Sequence, residues 1–304
     1  MNKHSTNKCQ CCDSSNLVLV YEGSFFNLPV LKCNDCSVHF VQYDENKLDM
    51  KKYYDETYWS VFRNINNREI INQKVDNAYL INKLPKIIRD IIELTGIRKS
   101  PSYSQYNYLR PYLTGHTLFE LGSGEGFILE LFEKKGLQVY GIEPSKINLT
   151  IINKKLKNGK CENGFAEDIS SIGKKFDIII ISHVLEHVVN CRVILSNLKN
   201  ILSDNGILFI EVPNCANEET LEHSIKTQPH LHHFTKKSLE KLMEHSGYKI
   251  IRIDTFTLNV ITLSEHLKYF IKWVLKKDCC SIASEKDGNI LRMIVTHEHD
   301  NPLT

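Results

Sequence analysis

Residues 117–145 read TLFELGSGEGFILELFEKKGLQVYGIEPS, and the fold is decided there. Residues 117–121 are a short apolar run of strand type. Gly122, Gly124 and Gly126 form the turn that follows. Phe127, Ile128, Leu131 and Phe132 then fall at helical spacing. Gly136 stands where a glycine commonly stops a helix. Residues 138–142 predict a second strand, which ends in Glu143. Each piece has a physical job. A residue without a Cβ lets the backbone bend sharply and come close to a ligand. A carboxylate at the tip of the second strand suits the two hydroxyls of a ribose. The dinucleotide fingerprint G-x-G-x-x-G is not met. The spacing is E-x-G-x-G-x-G, with Glu120 ahead of the turn. An acid there can hold a cationic amino group and would repel a pyrophosphate.

Outward from this stretch, strand and helix keep alternating. Residues 104–113 read as a short helix leading in, after a loop at 99–102. Residues 146–156 read as a helix, and GFAED at 164–168 follows a short strand. FDIIII at 176–181 is a continuous apolar run, suited to a central parallel strand buried on both faces. Its end, SHVLEH at 182–187, falls at the carboxyl edge of the sheet, where open α/β sheets bind ligands. A helix over 193–202, a turn at 204–206 and a strand over 207–212 come next. A capped helix starts after Thr235. Residues 248–257 and 289–297 read as the last two strands. Between them, residues 263–276 are amphipathic, with Leu267, Phe270 and Ile271 against Lys268 and Lys272. Such a helix suits a membrane surface, a homodimer contact, a roof over a pocket or packing on its own domain.

These residues resemble motif I and the following motifs of the class I S-adenosylmethionine-dependent methyltransferases, over residues 106–253. The resemblance implies an α/β, Rossmann-like domain with a seven-stranded sheet and S-adenosylmethionine as cofactor. It implies that Glu120 faces the methionine end, and that Gly122, Ser123, Gly124 and Gly126 line the cofactor. By the same resemblance Glu143 takes the ribose, Phe165 and Ala166 lie along the adenine, and Pro144, Ser182 and His183 are further cofactor-binding positions. The family often has an acid where Phe165 stands, so no side-chain bond to the adenine amine is expected from that position.

Ahead of this domain lie two C-x-x-C pairs, Cys9 with Cys12 and Cys33 with Cys36. Two knuckles with four thiolates suit tetrahedral Zn2+, and a segment this small has little core of its own, so a metal would supply much of its folding free energy. Cys11 sits inside the first pair, and His39 lies in an apolar run. The expected organisation is a zinc-ribbon module over 1–48, a helical linker or lid over 49–115, and the methyltransferase domain over 116–304 with a helical insertion at 262–278. Tyr53, Tyr54, Tyr58 and Trp59 form an aromatic cluster after the ribbon, expected to pack it against the main domain. A helical pattern runs over 66–94, interrupted by Pro85.

The chain has 304 residues, 42% hydrophobic and 24% charged, which is ordinary for a soluble globular protein. A net charge of +2 leaves no strong nucleic-acid signal. No long apolar run predicts a transmembrane segment, and the first residues lack a signal-peptide core. A cytoplasmic location is expected, and the ten cysteines then call for a role other than disulfides.

Histidines gather at two places, His183 and His187 near Glu186, and His230, His232 and His233 before the helix after Thr235. Such a group could hold a general base near neutral pH or a metal. Quinone-pathway O-methyltransferases resemble the Leu-Glu-His run at 185–187, and some use the acid and the histidine for a divalent ion. Their further acidic ligand is His183 here. His230, His233 and His187 are the candidate catalytic residues. The ribbon followed by this domain resembles bacterial methyltransferases of sugar, surface-glycan and secondary metabolism. The expected activity is O-methylation of a small-molecule acceptor. A zinc-ribbon RNA methyltransferase and a non-catalytic scaffold are the alternatives.

Overall fold

The computed structural model describes residues 8–58, 101–256 and 288–298. Three short strands come first: β1 (Leu17–Tyr21), β2 (Val30–Cys33) and β3 (His39–Val41). A helical turn at Met50–Lys52 runs into a π-helical turn at Tyr53–Tyr58. The second described stretch opens with α1 (Pro101–Leu109), β4 (Thr117–Leu121), α2 (Phe127–Lys134), β5 (Gln138–Glu143) and α3 (Lys146–Lys155). It continues with β6 (Lys160–Asn163), β7 (Phe176–Ser182), α4 (Cys191–Ile201), β8 (Leu202–Pro213) and α5 (Glu218–Thr227). β9 (His232–His233), α6 (Lys236–His245) and β10 (Tyr248–Phe256) follow, and β11 (Ile290–His297) comes last.

Seven strands form one sheet in the order β6-β5-β4-β7-β8-β11-β10. The strands from β6 to β8 run parallel, and β11 runs antiparallel between β8 and β10. The class expected from the sequence is therefore observed: an α/β, Rossmann-like seven-stranded domain. Strand β7 shows why. Ile178 and Ile180 pack with Leu118 and Phe209 on one face, while Ile179 and Ile181 pack with Phe119 and Leu208 on the other. Burying each such side chain contributes about 1.5–3 kcal/mol. With both faces apolar, the strand is stable only at the centre of the sheet.

Local signals set most helix starts. Ser145 Oγ accepts from Asn148 N at the head of α3, and Thr235 and Ser238 close a reciprocal cap on α6. Helix α4 begins at Cys191, ahead of the expected 193, because Asn190 Oδ1 accepts from Val193 N. Pro101 was expected in a loop but opens α1, where its missing N–H costs nothing. The expected turn at 204–206 is absorbed into β8. The pairing jumps from Phe176↔Leu202 to Ile178↔Ile207, so the extra residues form a bulge. Helix α5 was not expected at all. Its cap is Asn217, whose Oδ1 accepts from Thr220 N at 3.1 Å, with Glu218 and Glu219 in the first turn.

Helix α2 starts at Gly126, which has φ +76°, and a Cβ there would lie 2.8 Å from Ile152. Gly126→Ala should therefore cost about 1–3 kcal/mol of stability from crowding alone. Thermal unfolding of the two proteins side by side measures it.

A second sheet has the order β1-β2-β3-β9. Here β9 comes from far along the chain, yet pairs with β3 as His39↔His233 and Phe40↔His232. Cys9, Cys33, Cys36, Val38 and Phe40 share one buried cluster with Leu185, Val188 and Phe234. The N-terminal strands thus pack directly on the large domain. The helical pattern at 66–94 with Pro85, Trp59 and the amphipathic segment 262–278 lie outside the described residues.

Candidate active site

The glycine-rich turn adopts the geometry its sequence implied. Gly122, Gly124 and Gly126 have φ of +71°, +54° and +76°, a region that favours glycine. A Cβ on Gly122 would sit 2.6 Å from Val184 Cγ2. Gly122 N and Ser123 N both donate to Ile142 O, which ties the turn to the end of β5. Glu143 lies beneath it, almost fully buried. Its Oε2 accepts from Gly124 N at 2.8 Å and its Oε1 from Ser145 N at 2.9 Å. Pro144 is half-buried beside it, and its carbonyl accepts from Asn163 Nδ2.

Glu120 differs from Glu143 in one respect that matters. It is buried, and its Oε2 has no hydrogen-bond partner. Burial, reinforced by the nearby Glu143 charge, pushes its carboxyl well above the usual range. A buried acid with an unused oxygen is costly unless a donor arrives. The α-ammonium of a bound S-adenosylmethionine is such a donor, and the residues present fit that cofactor. Phe165 is half-buried ahead of the turn at Ala166–Ser171. Lys51 Nζ stands 5.3 Å from its ring centroid and 3.9 Å from Asp168 Oδ1.

At the end of β7, Ser182 Oγ accepts from Gln105 Nε2 at 2.8 Å and donates to Glu211 Oε1 at 3.1 Å. Gln105 also donates to Glu211 at 2.7 Å, and Arg292 Nε bonds the second Glu211 oxygen. Gln105, Glu211 and Arg292 are all buried. His183 has a left-handed backbone, φ +53°, and its ring lies 3.1 Å from Glu186 Oε1 and 3.5 Å from Glu211 Oε1. Desolvation opposes charge on this ring, but the two carboxylates outweigh it and raise His183 to about 10. The sequence alone did not point to Gln105 or Arg292. A single arginine inside the apolar run ILRMIV was the available signal.

The structure brings the two histidine groups together. The His187 and His230 rings lie 4.7 Å apart between centroids. His187 Nδ1 lies 3.0 Å from Pro229 O. A carbonyl only accepts, so the proton is on Nδ1 and Nε2 carries the lone pair. His230 and His233 both direct Nδ1 at Ser224 Oγ, at 2.7 and 2.8 Å. Burial holds His187 below its ordinary value, and it holds His230 and His233 far below theirs, helped by neighbouring histidines. All three rings are therefore neutral near pH 7. His233 is fully enclosed on β9, whereas His187 is half-buried. Tyr54 packs edge-on against His187 at 5.6 Å, with its buried hydroxyl unpartnered. Tyr53 and Tyr58 join it in a ring cluster with Phe25 and Phe26.

Two groups of side chains could hold metal. Glu186, His187 and His230 each offer one ligand atom within 4.8 Å of the others, and Glu186 Oε2 has no partner. His183 is not in that group. Cys9, Cys12, Cys33 and Cys36 form the other. Their closest sulfur pairs are 3.5 and 3.6 Å apart. Tetrahedral zinc with Zn–S near about 2.3 Å needs sulfurs about 3.8 Å apart, so the thiols fit a structural Zn2+. Hydrogen bonds from the Cys11 and Cys36 side chains, and from the backbone amides of Cys11 and Cys12, pull the Cys9 thiol well below its usual value. It is thus poised to bind as thiolate.

Comparison with known proteins follows the same line. The sequence model of a methyltransferase domain family matches residues 81–253, more than half of the chain. The chain belongs to this methyltransferase family. Among curated proteins, it is 26% identical over 110 residues to a ubiquinone biosynthesis O-methyltransferase of Azorhizobium caulinodans, covering 35% of this chain and 43% of that protein. It is 31% identical over 108 residues to the protein of the same name from Rhodopseudomonas palustris, covering 34% and 42%. The chain thus spans less than half the length of the curated relatives it matches. Among solved structures, the plantazolicin methyltransferase BpumL, in complex with a triazolic desmethylPZN analog and SAH, is 18% identical, covers 69% of this chain and 91% of its own, and superposes with a TM-score of 0.49. Among the described residues of this family member, no helix is long and apolar enough to cross a membrane.

Proposed function

We propose that this protein transfers the methyl group of S-adenosylmethionine to an oxygen of a small-molecule acceptor, such as a sugar, a glycan precursor or a secondary metabolite. One observation carries the reading. A buried acid with an unpartnered oxygen, Glu120, and a pair of neutral imidazoles, His187 and His230, stand at the carboxyl edge of the same parallel sheet.

When bound, the cofactor supplies an electrophilic methyl on an already good leaving group, so the chain mainly provides alignment and a proton acceptor. Glu120 would hold the ammonium and Glu143 the ribose. His187 Nε2 carries a lone pair that can take the acceptor's hydroxyl proton, while the Pro229 carbonyl keeps the ring in that tautomer. His230 packs beside it and is the second candidate. The aromatic group of Tyr53, Tyr54 and Tyr58 supplies an apolar wall that lowers the local dielectric.

The test is methyl transfer from isotopically labelled cofactor into metabolite extracts, followed by identification of the labelled acceptor. His187→Ala and His230→Ala should each leave cofactor affinity unchanged, and the one that removes the general base should cut turnover by about 100-fold, the usual scale for such a loss. Turnover equal to wild type in either variant removes that histidine from the mechanism. Absence of any labelled product in active extracts, despite tight cofactor binding, leaves a scaffold.

A further inference from the structure

The four-cysteine module meets the large domain at two places, and each lies beside one half of the histidine pair. The first is the knuckle between Cys9 and Cys12. Gln10 donates from Nε2 to Val189 O at 2.9 Å and accepts at Oε1 from Cys191 N at 3.0 Å. Arg192 Nε bonds the Gln10 carbonyl, and Arg192 Nη1 lies 2.9 Å from both carboxylate oxygens of Asp13. These bonds clamp the segment that directly follows Glu186 and His187. The second place is β3. It pairs with β9, and Val41 N donates to Leu231 O at 2.8 Å. From the other side, Leu231 N and His232 N both donate to Glu186 O, at 2.7 and 3.0 Å.

A two-residue strand has no stability of its own. β9 stays where it is because β3 lies on one flank and the Glu186 carbonyl on the other. β3 in turn follows the turn held by Cys33 and Cys36. The cofactor cradle is built differently, from β4, the glycine turn and β5, with bonds supplied by Ile142, Gly124 and Ser145.

We propose that the N-terminal module is a wall of the acceptor site: through Gln10 and through β3 it sets the spacing of His187 and His230, so that loss of its metal disables the acceptor side and spares the cofactor side. The inference rests on the methyltransferase reading. Gln10 is a positioning residue in it, acting through the backbone at 189–191.

Two full-length variants test it, Gln10→Ala and the double variant Cys12→Ser with Cys33→Ser. Zinc content, the Kd for S-adenosylhomocysteine and segment-resolved amide hydrogen exchange are measured on each. Gln10→Ala should keep its zinc and hold its Kd within about threefold of wild type, while exchange at 184–192 speeds up about tenfold or more, as for a local opening made easier. The zinc-free double variant should show the same at both 184–192 and 230–234, with exchange in β4 and β7 unchanged. Once the labelled acceptor is known, Gln10→Ala should lower kcat about tenfold at unchanged cofactor KM, a split that general loosening of the chain does not produce. Unchanged exchange at both segments in the zinc-free protein overturns the inference, as does exchange that rises equally throughout the central sheet. Wild-type protein that fails to bind S-adenosylhomocysteine sinks the methyltransferase reading, and this inference falls with it.

Discussion

Arg292→Met should destabilise the chain by about 3–5 kcal/mol, the usual cost of removing one partner from a buried ion pair. Arg292 and Glu211 are both buried in the sheet, on β11 and β8 at paired positions. Without the guanidinium, Glu211 keeps Gln105, Ser182 and His183 as partners but loses the nearer of its two positive charges. Burial alone would raise the Glu211 carboxyl, yet Arg292 and His183 hold it well below the ordinary range. Its folded value is thus depressed. The stability it contributes is fully present above its unfolded value of about 4.3 and is lost as pH falls toward the folded one. Urea denaturation of the wild type and of Arg292→Met at pH 7 measures the effect. The double variant Arg292→Met with Glu211→Leu should recover much of the loss, because it leaves no charge unpaired. A single variant as stable as wild type removes the pair from the account of stability.

The second large effect concerns the cofactor. Glu120→Gln should weaken S-adenosylhomocysteine binding by about 10- to 100-fold, the range for one hydrogen bond to a charged group. The sign of the pH dependence follows from the empty site. Burial raises the Glu120 carboxyl, which favours its neutral form before the ligand arrives. The ammonium prefers the ionised acid, so binding lowers that value and releases a proton. Affinity should therefore rise with pH through the raised value and level off above it. Calorimetry in two buffers of different ionisation enthalpy reads the released proton directly. Glu120→Gln should abolish the buffer dependence. A buffer dependence that survives in the variant assigns the proton to another group.

What the sequence made legible was local. Glu120, the glycines and Glu143 lie within one continuous stretch, so their pattern survives without knowledge of the fold. The same holds for Cys9, Cys12, Cys33 and Cys36, where two short spacings report a ligand set. FDIIII suited a central strand, because a run apolar at every position can be buried on both faces there. The rest lacks any such period. The strand at His232–His233 exists because β3 lies beside it, and nothing in its two residues says so. Helix α5 buries little beyond Leu221 and Ile225, so its apolar stripe is too thin to register. Without α5, Ser224 could not be seen as the hydroxyl between two imidazoles. The group of Gln105, Ser182, Glu211 and Arg292 draws on four separate elements, and only the fold brings them within bonding distance.

That hydroxyl has a consequence of its own. Ser224 has one hydrogen to give, and two neutral rings turn the same nitrogen toward it. Where that hydrogen goes to one ring, the other ring donates to the oxygen, and His230 and His233 then hold opposite tautomers. His230 can take a proton at its far nitrogen only in the tautomer whose near nitrogen already donates to Ser224. The enclosed ring on β9 therefore works as a sealed indicator, whose nitrogen resonances would report from inside the protein which tautomer the neighbouring His230 ring holds.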